Sequence, residues 1–207
     1  MSNLKDSERT KISDSLRFNL ARVENLILIY DRLGSPSQGR RTSHQTDILR
    51  SAVVFLHASL EEFIRQLVIT IYPDSQKEII NRVPIAGSLT VDPQKFLLGE
   101  LVQFKDMYVS KLIEDSVTAH SKRLTVNNTN DLSNMLQSLS FEMNEDVRRH
   151  FHSLAELMSR RHHIVHQADK NETSGSGQFK VKSISSTEVR VWLQSVRDCC
   201  SIILTSI

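Results

Sequence analysis

The stretch SRRHHIVHQAD, residues 159–169, gathers Arg160, Arg161, His162, His163 and His166 within two helical turns. An imidazole, with an unperturbed pKa near ~6.5, can take or give a proton at neutral pH, whereas a guanidinium keeps its charge and binds anions through a planar fork of donors. Three kinds of chemistry suit such a set: proton transfer around a phosphate, metal binding by imidazoles, or mere solvation of a basic face.

Helical geometry separates the roles. At about 100° per residue, Leu154, Leu157, Met158, Ile164, Val165 and Ala168 all fall within about 60° of a line through Arg161. A guanidinium amid apolar neighbours is costly unless an anion meets it, either a core carboxylate or a bound ligand. Arg160 projects about 100° away and is expected to be a surface charge. His162 and His166, four residues apart, share one strip beside the apolar stripe, and His163 points nearly opposite Arg161. As an i, i+4 pair, His162 and His166 also have the spacing of two zinc ligands, but no HExxH pattern or cysteine cluster supplies the others. No metal and no cofactor is expected.

These residues must be positioned by helices. Only six Gly and four Pro occur in 207 residues, and long segments carry apolar residues at helical spacing, so an all-α bundle of four to six helices in one domain is expected. Its core should span about 13–206, with a flexible loop at about 169–180. Helices are expected at about Ser13–Leu33, about Thr46–Tyr72, from Asp92-Pro93 to about Ala119, from Asn130 or Asp131 through Leu139, at Asn144–Gln167, and from a capping box at Ser185 and Glu188 to the end. The second has the clearest stripe, Leu49, Val53, Leu56, Leu60, Phe63, Ile64, Leu67 and Ile71.

Composition narrows the function. A net charge of +2 excludes a broadly basic nucleic-acid coat, so any RNA contact must be local. Arg148 and Arg149, upstream of Arg160, are candidates to track an RNA backbone together with it. Aromatic residues make up only 6%, without the interleaving of a stacking platform. Phosphate loops, GxSxG elbows and paired acid–base carboxylates are missing, which removes nucleotide hydrolysis and glycosidase chemistry. No apolar run is long enough to cross a bilayer, and the two cysteines, Cys199 and Cys200, are adjacent, so a soluble cytoplasmic protein without membrane contact is expected.

Arg161, four intervening residues and His166, near the end of a helix and followed by a polar loop, resemble the RxxxxH signature of HEPN ribonucleases, with His162 in the polar position after the arginine. The upstream stretch AVVFLHASLEEFIRQL, residues 52–67, is similar to the HEPN helix that often bears an acidic residue, here Glu61. Order and spacing look most like the RiboL-PSP branch. The resemblance implies a homodimer in which Arg161 and His166 of both chains line one cleft. It also implies metal-independent cleavage of RNA to 2′,3′-cyclic phosphate and 5′-hydroxyl ends. His166 and Arg161 would be catalytic, and His162 would assist. Glu61 would support Arg161, or else pair with Arg65 on its own helix; His57 is expected to be a hydrogen-bonded core histidine. A toxin or defence effector held by a cognate antitoxin or regulatory protein fits the resemblance, as does a non-catalytic RNA- or protein-binding module. Ala168 stands where toxins silenced by nucleotidyltransferases carry tyrosine, so control by tyrosine adenylylation is not expected.

Overall fold

A computed structural model describes residues 4–33, 42–87, 98–171 and 180–207. The first long helix, α1 (Asp6–Arg32), starts where the Glu8 carboxylate accepts the Lys5 N–H at 3.0 Å, and buries Ile12, Leu16, Leu20, Val23, Ile27 and Tyr30 along one face. α2 (Ser43–Ile71) opens on a reciprocal cap between Thr42 and Gln45 and stops before Pro73, whose ring cannot continue the hydrogen-bond ladder. It is the central helix: the whole predicted stripe is buried, and α1, α4, α7 and α8 all pack on it.

The other helices among the described residues are single-turn α3 (Lys77–Ile80), α4 (Val109–Ser121), α5 (Thr129–Ser138), single-turn α6 (Glu145–Arg148), α7 (Phe151–Gln167) and α8 (Ser186–Ser206). The last opens on the expected Ser185–Glu188 box, and Val189, Trp192, Leu193, Val196, Cys199, Cys200 and Ile203 fill its buried face. Burial pushes the Cys199 thiol up to about 12 and the Cys200 thiol up as well, so neither is a ready thiolate nucleophile. Among the described residues there is no strand, only a lone antiparallel bridge between Lys170 and Val181, and no helix is long and apolar enough to cross a membrane.

The structure corrects several boundaries. The third expected helix is a 3-10 segment at Leu98–Phe104 followed by α4, because at Met107 the backbone closes a three-residue bond to Phe104 O before the α pattern restarts. Its proposed start at Asp92-Pro93 lies outside the described residues, as does most of the loop at 169–180. α5 is capped two residues earlier than expected, by Asn128, whose side chain accepts the Asp131 N–H. The helix expected at Asn144–Gln167 is two: Asn144 caps α6, His150 N–H bonds back three residues to Val147 O, and α7 begins afresh.

Candidate functional site

α7 packs on α2, α8 and α5, with Leu154, Leu157 and Met158 buried. The stripe then runs out of cover. Ile164 is half-buried, Val165 is 48% exposed and Ala168 is exposed, so the last turn of α7 carries its apolar face to the surface.

Arg161 sits at this transition, half-buried. It has no hydrogen bond and no ion pair among the described residues, so the core carboxylate that would make it purely structural is not there. Its charge is felt by His57, whose pKa is lowered first by burial and then by Arg161 and Arg65, against the pull of Glu61 and a backbone hydrogen bond. The next turn brings His162 and His166 together, both exposed, with ring centroids 4.7 Å apart. Among the described residues no group of three or more His, Cys, Asp or Glu is assembled around a point, so this pair has no third ligand there. His163 turns away and bonds Gln167 Oε1 through Nδ1 at 2.6 Å.

Glu61 is 8% exposed and does not reach Arg161. Its Oε1 accepts the Val126 N–H at 3.1 Å, and its Oε2 lies 3.6 Å from His57 Nδ1 and 3.7 Å from Arg65. The Arg65 pair expected as one alternative is therefore present. His57, 1% exposed, is the hydrogen-bonded core histidine foreseen, with Nε2 2.9 Å from Val126 O.

Arg160 departs from the solvated charge expected of it. Its Nη2 donates to Asp169 Oδ2 at 2.8 Å, to Ser183 O at 2.9 Å and to Lys182 O at 3.1 Å, and burial lowers its pKa while Asp169 opposes that. Asp169, 1% exposed, also takes Arg50 Nε at 2.7 Å, and Arg50 Nη2 reaches Lys182 O at 2.7 Å. Arg50 and Asp169 were missed from sequence. One signal was available: Arg50, His57 and Glu61, at i, i+7 and i+11, form a polar row about 100° round from the α2 stripe. Arg148 and Arg149 are exposed on and just after α6, and Arg149 lies 3.4 Å from Asp146. Both precede the first residue of α7, Phe151, and α7 alone rises about 15 Å from there to Arg161 at about 1.5 Å per residue.

Two neighbouring guanidiniums near the end of α7 are therefore treated differently: Arg160 is held by Asp169 and backbone carbonyls, and Arg161 is open. Such an opening suits a phosphate, since a guanidinium and two imidazoles can bind the anion and move protons at its oxygens. A family model described as RiboL-PSP-HEPN matches residues 17–207. Set against curated proteins and against solved structures, the chain gives no match.

Proposed function

The chain belongs to the RiboL-PSP-HEPN family, which points to nuclease-like or RNA-related work, and on that premise we propose that it is a metal-independent endoribonuclease acting as a homodimer. The observation that carries this reading is Arg161: a half-buried guanidinium, beside two exposed imidazoles, without an acidic partner among the described residues. The exposed Val165 and Ala168 next to it support a second copy of the chain packing there, which would finish burying the stripe and bring two such sets into one cleft.

In the proposed reaction a ribose 2′-oxygen forms a bond to the adjacent phosphorus as the bond from phosphorus to the 5′-oxygen breaks. One His166 takes the 2′-hydroxyl proton, and its symmetry mate, protonated, delivers a proton to the leaving 5′-oxygen. Arg161 of both chains holds the charge of the pentacoordinate phosphate, and His162 positions the substrate or shares a proton with His166. Glu61 steadies His57 behind Arg161. Arg148 and Arg149 guide the RNA, and Arg160 contributes through its place in the fold. A toxin or defence role, with a cognate protein masking the cleft, follows from the same reading.

The test is the chemistry of the ends. Purified protein incubated with labelled RNA in EDTA should leave 2′,3′-cyclic phosphate and 5′-hydroxyl termini, and His166→Ala should lose about 10²–10⁴-fold in kcat. Termini bearing a 3′-hydroxyl, or cleavage unchanged in His166→Ala, would overturn the proposal. RNA bound without cleavage would favour the binding-module reading.

A further inference from the structure

We propose that Asp169 is a positioning residue: gripped by Arg50 and Arg160, its carboxylate fixes the last turn of α7 and with it the pose of His166. The proposal rests on the nuclease reading for its consequence in catalysis, but its geometry stands apart from that reading.

Three features converge on the residues just beyond His166. First, the chain leaves α7 through two consecutive left-handed residues, Ala168 at φ 48° and Asp169 at φ 55°. Alanine has no side-chain hydrogen bond to favour that region, so the surroundings must impose it. Second, those surroundings are supplied by Asp169 itself. Its Oδ2 is shared by Arg50 Nε and Arg160 Nη2, its N–H donates to His163 O at 3.0 Å, and its carbonyl accepts the Lys182 N–H at 2.9 Å. Third, both arginines also donate to Lys182 O, so α2, the end of α7 and the returning segment are tied at one point.

Stability alone does not account for this arrangement. A buried ion cluster is repaid only when every donor and acceptor is satisfied, and a well-packed apolar substitute is often as stable. Here Asp169 Oδ1 and Arg160 Nε are buried with no hydrogen-bond partner among the described residues. Two guanidiniums crowd one oxygen while the other oxygen is idle. What the cluster does achieve is a fixed rotation and a fixed end for α7. Arg160 locked inward sets its neighbour Arg161 about 100° round the helix, on the line of the apolar stripe, and leaves His162 and His166 exposed. A site built this way holds its geometry through the supporting shell, and a displacement of about 1 Å is worth roughly 100-fold in rate.

The experiment compares wild type with Asp169→Asn and, as a second variant, Arg50→Gln. For each, kcat and KM are measured on one RNA oligonucleotide in EDTA. The histidine ring signals are followed by NMR on ¹³C-labelled protein, with the His166 signal assigned through His166→Gln. The clamp predicts that kcat falls about 100-fold with KM within about 3-fold. It also predicts that the His166 signal moves or broadens while that of His120, on α4, does not. Folded variants with wild-type kcat and an unmoved His166 signal overturn it. So does loss of the fold in both variants, which would make the cluster a stability element only. If the wild type cuts no RNA, the nuclease reading falls and the NMR result decides the clamp alone: a moved signal upholds it, an unmoved one overturns it.

Discussion

On one side of the last α7 turn, the Arg160 guanidinium is spent on Asp169, Lys182 and Ser183; on the other, one residue along, that of Arg161 meets no acid among the described residues. Same residue type, same helix, opposite circumstances. The difference lies in what each side packs against. Arg160 faces a polar seam made by α2 and the segment before α8, where backbone carbonyls and a buried carboxylate await it. Arg161 faces the stripe that ends in exposed Val165 and Ala168. A charge satisfied from within serves the fold, and one left open is available to a ligand.

That contrast can be broken by removing each arginine in turn. Arg160→Ala deletes charged hydrogen bonds in a buried place and should cost about 1.5–3 kcal/mol in urea unfolding. Arg161→Ala removes no hydrogen bond and should shift unfolding by less than about 0.5 kcal/mol. Equal losses would erase the distinction.

A smaller effect sharpens it through pH. Burial, above all, holds the His57 imidazole below its ordinary value of about 6.5, so the unfolded chain binds this proton at a higher pH than the folded one. The contribution to stability is therefore full above pH 6.5 and declines as pH falls below it toward the folded value. Melting followed from pH 7 to pH 5 should show this slope, and His57→Gln should flatten it. Because Arg161 is one of the charges holding that pKa down, Arg161→Ala should also make the slope shallower.

The helices that carry the site were legible in the chain because their signals are local. The α2 stripe, the Ser185–Glu188 box and the apolar turns of α7 are spacing patterns that burial obeys directly. The placement of Arg161 on the stripe beside His162 and His166 followed from the same arithmetic. What escaped was long-range or unmarked. Arg50 and Asp169 are 119 positions apart, and no periodicity links them. A helical wheel gave the direction of Arg160 but not the carboxylate waiting there. The break between α6 and α7 occurs at Arg149–His150 without a proline or glycine to announce it.

The most direct test of the account is RNA cleavage by Arg161→Ala in EDTA, measured beside its melting curve. An open guanidinium that stabilises the phosphate in flight predicts a fall in kcat of about 10²–10³ with melting unchanged. Cleavage at the wild-type rate by a folded Arg161→Ala protein would contradict it.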